Sequence, residues 1–133
     1  MQWIALISWL LTAFGGSVLS WVWVRHGGLK QQEGLRPTRL LTHVLLAALG
    51  LATWIVYVLT DNRSAAWFSI ALLAAVGIVG VSILAISLRG KTRSTRTAAP
   101  AEAMFPLPIV AGHGVLATVT LVLSVVSALS AGI

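Results

Sequence analysis

Residues 39–60 read RLLTHVLLAALGLATWIVYVLT. After Arg39 the run carries no charge, and its residues are those that favour lipid over water. A helix rises 1.5 Å per residue, so about 20 such residues cross a bilayer core of ~30 Å. This run is therefore expected to be a membrane-spanning helix. Its one ionisable side chain inside the span is His43, roughly one turn past Arg39. Ionisable groups within a span are functional candidates by default.

Three more runs of similar length flank it. Residues 2–24, QWIALISWLLTAFGGSVLSWVWV, have neither the basic leader nor the short core of a cleaved signal peptide, so a retained helix is expected. Residues 65–88 run from AAWF to ISL without a charge, and residues 105–130 open on FPLP and carry His113. Proline is tolerated in a first helical turn, where its missing N–H would be unpaired anyway. The fold class expected is all-α. It is a single domain over 1–133 with four transmembrane helices at about 2–24, 39–60, 65–88 and 105–130, in an up-down bundle.

The whole composition agrees. Hydrophobic residues make up 58 % of the 133 and charged residues 9 %, against roughly 25 % charged in soluble domains. Mean hydropathy is +0.95. There is no cysteine, which excludes disulfides, thiolate-bound zinc and iron–sulfur clusters. The net charge of +6 does not point to nucleic acid, because almost all the basic residues sit in two short connections between apolar runs. Arg25, Lys30, Arg36 and Arg39 flank or lie in the first, and Arg89, Lys91, Arg93 and Arg96 in the third. Only Arg63 lies in the second. Excess Lys and Arg marks cytoplasmic loops. Loops 25–38 and 89–104 are thus expected in the cytoplasm, with both termini on the other, non-cytoplasmic side. The Leu, Ala, Val and Arg bias suggests a bacterial cytoplasmic membrane.

Local signals fill in the ends. Gly27 and Gly28 stop the first helix, and Asn62 or Ser64 caps the third. Ser69, Ser82 and Ser87 are expected to bond within their helix or across to a neighbour. Trp3, Trp21 and Trp23 suit the interfacial aromatic belts, and Trp54 and Tyr57 lie near the far end of the second helix. Gly15, Gly16, Gly77 and Gly80 mark places of close helix packing. The Thr-, Ser-, Ala- and Pro-containing stretch after Arg89 reads as a flexible linker.

Helices two and four start at the same face and run parallel. His43 lies four residues beyond Arg39 and His113 five beyond Pro108. At 1.5 Å per residue the two are level, about 6 and 7.5 Å inside. In an up-down bundle these helices are diagonal partners, with axes roughly 11–14 Å apart if neighbours pack at 8–10 Å. That gap admits a flat group between two imidazoles. Aligned on their histidines, HVLLAALGLATWIVYVL and HGVLATVTLVLSVVSAL share His43/His113, Leu46/Leu116, Ala47/Ala117, Leu51/Leu121, Val56/Val126 and Leu59/Leu129. LTAFGGSVLS and LAAVGIVGVS in helices one and three align more loosely. The pattern suits a duplicated helical hairpin; chance matching among Leu, Val and Ala is the alternative.

Two functional readings stand side by side. The first is a non-catalytic accessory or assembly subunit of a larger inner-membrane complex, suggested by small size and glycine-rich helices. The second is a b-type haem protein, with His43 and His113 as axial ligands, passing electrons to or from quinone or a partner. In that reading Gly112 and Gly114 would let a flat ring approach the backbone. Thr42 would orient an imidazole. Arg36, Arg39 and Arg89 would meet haem propionates, or lipid headgroups if no haem is present. Structural or headgroup-reaching histidines, or histidines contacting a proton path or partner subunit, are alternatives to ligation. No other metal site and no catalytic residue is indicated, and the balance of the residues is against an enzyme. The partners expected are the lipid bilayer and other membrane subunits or further copies of the chain.

Two resemblances follow from these residues. The His-bearing second helix with its WIVY end, and FPLPIVAGHGVLATVTLVL of the fourth, resemble uncharacterised small four-helix membrane proteins of actinobacteria. The level histidine pair between membrane helices resembles cytochrome b561-like proteins, which implies a haem. It departs from them in having one histidine pair where they use two. The layout also looks like that of the small multidrug exporters, but residues 2–24 lack the acidic residue on which those proteins depend.

Overall fold

A computed structural model describes residues 1–93 and 99–132. It consists of four helices, α1 (Gln2–Arg25), α2 (Pro37–Thr60), α3 (Arg63–Arg93) and α4 (Leu107–Ser130), with short 3-10 turns at Gly28–Lys30 and Ala101–Met104. All four helices are long and apolar enough to cross a membrane. The architecture is an all-α, multi-pass bundle.

The helix ends follow from local chemistry. Gly27 adopts φ 83°, the left-handed conformation that ends α1. Pro37 opens α2 in the first turn, after an extended Arg36. Asp61 closes α2 with φ 51° and donates its N–H to the Tyr57 carbonyl at 2.8 Å. The Asn62 side chain then accepts the N–H of Ser64 at 3.0 Å and of Ala65 at 3.3 Å, capping α3. The far end of α3 departs from expectation. It runs to Arg93 rather than Leu88. Loss of hydropathy marks where lipid would end, whereas a polar segment such as RGKTR can continue a helix past that point. The Lys91 Nζ adds a reason, donating to the carbonyls of Ala103 and Phe105 at 3.1 and 2.9 Å.

The helices pack as two close pairs, α1 with α4 and α2 with α3, and the pairs meet along a looser seam. Thus α2 and α4 are diagonal. The buried apolar residues fall into two clusters. One, toward the end bearing the termini and the 61–62 turn, includes Trp9, Trp54, Tyr57, Ile70 and Leu73. The other, at the end bearing the long connections, is Trp23, Leu35, Ala101 and Phe105. Leu10, Leu11, Phe14, Ile78 and Val81 point outward, as residues facing lipid do.

One tryptophan position corrects the belt assignment. Trp21 is exposed, but Trp23 is buried, stacked where a Cβ on Gly28 would overlap its indole. Trp54 is fully buried, its Nε1 donating to the Gln2 carbonyl at 3.3 Å and its ring meeting Tyr57 edge-on at 4.9 Å.

The long connections are joined to each other. Glu102, 1 % exposed, accepts the Leu35 N–H at 3.0 Å and the Gln31 amide at 2.6 Å, while Gln31 Oε1 accepts the Ala101 N–H at 2.9 Å. Residues 99–104 are therefore fixed against the first connection, not a free linker. Residues 94–98, the rest of that expected linker, lie outside the described residues.

The bundle also repeats itself. The burial classes of residues 41–60 and 111–130 coincide at every position but Ile55/Val125. The buried Gly50, Trp54, Tyr57 and Val58 of α2 fall on the buried Thr120, Ser124, Ser127 and Ala128 of α4. Likewise Ala5, Trp9, Thr12 and Trp23 of α1 match the buried Ser69, Leu73, Val76 and Ser87 of α3. This α1–α3 register places Gly16 on Gly80. The sequence alignment set Gly16 on Ile78 instead, a slip that similar apolar stretches permit.

Candidate functional site

Between the two apolar clusters lies a layer built on His43 and His113. The imidazoles come from the diagonal helices α2 and α4 and meet across the seam, with ring centroids 6.3 Å apart and planes at 64°. The expected level depth of the pair is thus found, and both rings turn inward rather than toward lipid.

Each ring rests on a glycine of its neighbouring helix. A Cβ on Gly16 of α1 would stand 3.0 Å from His113 Cε1, and one on Gly80 of α3 would stand 3.1 Å from His43 Cε1. Separations that short are tighter than most packed side chains adopt, so glycine lets each ring lie close against the helix. The mid-helix glycines that the sequence marked for close packing thus divide. Gly16 and Gly80 support the histidines, and a Cβ on Gly77 would meet nothing. Gly112 and Gly114 are also open and outward-facing, so they form no cradle beside His113. Successive residues on a helix point about 100° apart, which turns both flanking glycines away from the face His113 uses.

The two histidines differ in what holds them. His113 Nδ1 lies 2.9 Å from the Thr12 carbonyl. A carbonyl only accepts, so Nδ1 carries the proton and Nε2 keeps its lone pair. Thr12 is itself fixed. Its hydroxyl donates to the Ser8 carbonyl at 2.8 Å and lies 3.0 Å from the Thr120 hydroxyl, which lies 2.7 Å from that of Ser8. Thr120 in turn donates to the Leu116 carbonyl at 2.7 Å. On the other side, His43 Nδ1 is buried without a hydrogen bond. The Val76 carbonyl stands near it, at the place matching Thr12, but the contact lacks hydrogen-bond geometry.

Thr42 does not orient a histidine. Its hydroxyl donates to the Thr38 carbonyl at 2.7 Å on the exposed side of α2. Arg36, Arg39 and Arg89 are exposed toward the loop end. Arg39 borders a shallow groove with Thr38, Thr42, Ile78, Val79 and Ser82. The expected serine bonds are present: Ser69 donates across to the Gly50 carbonyl at 2.7 Å, while Ser82 and Ser87 donate within α3. Among the described residues no cluster of three or more His, Cys, Asp or Glu exists. The layer offers two imidazoles and helix carbonyls. The Thr12 carbonyl has no counterpart in a sequence motif, since any residue supplies one. A scan of known protein families, a search of characterised proteins and a search of solved structures each found no match to this chain.

Proposed function

We propose that this chain is a membrane-embedded b-type haem protein, with His43 and His113 as axial ligands, that exchanges electrons with a quinone or a partner protein. The observation that carries it is the 6.3 Å between the two ring centroids. Metal–imidazole bonds are about 2 Å, and a ring nitrogen lies about 1 Å from its ring centre on standard bond lengths. Two imidazoles on opposite sides of one metal therefore place their centres roughly 6 Å apart. The donor set fits too. Two neutral imidazoles are what haem iron accepts, and the tautomer enforced on His113 leaves Nε2 as the ligating atom.

The chain's own residues have separable tasks in this reading. Gly16 and Gly80 set the rings back against α1 and α3. Thr12 orients His113. In this reading the flat group would lie in the seam between the two close helix pairs. Arg36, Arg39 and Arg89 supply cations at one end of the bundle for propionate carboxylates. Bound haem supplies one-electron redox chemistry; the protein supplies the ligands and excludes water. The accessory-subunit reading rests on composition and draws no specific observation from the fold. Lipid, and a bacterial cytoplasmic membrane with the long connections inside, remain part of the proposal through the loop charges.

The test is a dithionite-reduced minus oxidised spectrum of protein expressed with haem supplied. The expected result is a Soret difference and a sharp α-band that the double variant H43A/H113A lacks. A flat spectrum from correctly folded wild-type protein rejects the proposal.

A further inference from the structure

The two sides of the histidine layer share their backbone plan but not their hydrogen bonding. The Thr12 carbonyl that holds His113 belongs to a buried group of three hydroxyls, Ser8, Thr12 and Thr120. Proton accounting closes there. Thr12 donates to the Ser8 carbonyl, Ser8 donates to Thr120, and the Thr120 proton is shared between the Leu116 carbonyl and Thr12. At the matching places around His43 stand Leu72, Val76 and Gly50, none with a side-chain donor or acceptor. The His43 Nδ1 is buried and faces the Val76 carbonyl without hydrogen-bond geometry.

A hydrogen bond from the non-ligating nitrogen to a carbonyl fixes ring orientation and raises ligand basicity, and losing such a partner costs ten- to a hundred-fold in metal affinity. Resting on the haem reading, we propose that the ligands are unequal: His113 is the permanent one and His43 is exchangeable. The His43 side is then a binding site for a small, neutral, soft ligand, of which carbon monoxide is the usable probe. In the exchange His43 Nε2 would leave the metal and the incoming ligand would take its place, with no change in electron count.

The experiment exposes dithionite-reduced protein to carbon monoxide and follows the Soret band. Wild type is expected to form a carbon monoxide adduct. His43→Gly is expected to keep its haem through His113 and to regain the six-coordinate spectrum when imidazole is added. His113→Gly is expected to lose haem ten- to a hundred-fold faster than His43→Gly. Thr120→Val, which keeps both histidines, is expected to speed haem loss by a smaller factor, and it serves if a histidine variant fails to fold. A haem-loaded protein that ignores carbon monoxide, or one in which both histidine variants lose haem equally, overturns the inequality and leaves the haem reading standing. Absence of any haem band overturns both.

Discussion

On the α1–α4 side of the bundle Ser8, Thr12 and Thr120 form a buried hydroxyl cluster; on the α2–α3 side the same places hold Leu72, Val76 and Gly50. The contrast continues along the helices. Trp54 and Tyr57 of α2 correspond to Ser124 and Ser127 of α4, while Trp9 and Trp23 of α1 correspond to Leu73 and Ser87 of α3. At these four positions the first hairpin brings the larger side chain to the bundle interior and the second the smaller one. Backbone course and burial are thus repeated while side-chain volume and polarity are not. A packed interior fixes total volume more tightly than it fixes which helix supplies it. The histidines and their supporting glycines are the exception. They are alike on both sides, as expected of residues held for a shared task.

The sharpest way to test this division is to remove the large member of a pair and then the small one. Trp54→Ala should lower unfolding stability in mild detergent by about 3 kcal/mol on the cavity term alone. Ser124→Ala removes a buried hydroxyl that has no partner and should be neutral or slightly stabilising. Equal losses from both would mean that the hairpins contribute alike.

Next in size is the tie between the connections. Glu102→Ala strands the buried Leu35 N–H, which should cost about 1–3 kcal/mol. It should also open residues 31–35 to limited proteolysis while the histidine layer keeps its properties. Protection of that segment in the variant would show that the tie is dispensable.

Thr120→Val tests the polar side alone. Hydrogen bonds between membrane helices average about 0.6 kcal/mol and reach about 1.7, so thermal unfolding should register a loss in that range. Gly50→Ala at the matching position acts sterically instead, since its Cβ would stand 3.0 Å from the Trp9 ring.

The smallest effect separates two glycines of one helix. Gly77→Ala, with open space around it, should raise stability by up to about 1 kcal/mol through helix propensity. Gly80→Ala gains the same propensity but presses on His43, an overpacking cost of about 1–3 kcal/mol, and should come out neutral to destabilising. A stabilised Gly80→Ala would break the claim that this glycine seats the histidine.

Much of the architecture is legible in the residues. Four uncharged runs of bilayer length, a turn at 61–64 and prolines ahead of α2 and α4 give the spans and their order. These signals are local, and each is read without reference to another helix. The depth of His43 and His113 is legible for the same reason, since it follows from counting residues past Arg39 and Pro108. Which way each helix faces is another matter. In water the apolar stripe of a helix marks its buried face; in a bilayer the lipid is as apolar as the interior, so the stripe is lost. That is why Trp23 read as a belt residue and proves to be core, why Gly112 and Gly114 seemed to flank a site and face outward, and why the α1–α3 register slipped. Nor can a sequence announce that the Thr12 carbonyl meets His113, or that Glu102 and Gln31 join the two connections, because these contacts bridge distant parts of the chain. Composition and counting determined that there are four spans and two histidines at one depth. Packing between helices decided that the histidines meet, and that only His113 has its Nδ1 hydrogen-bonded.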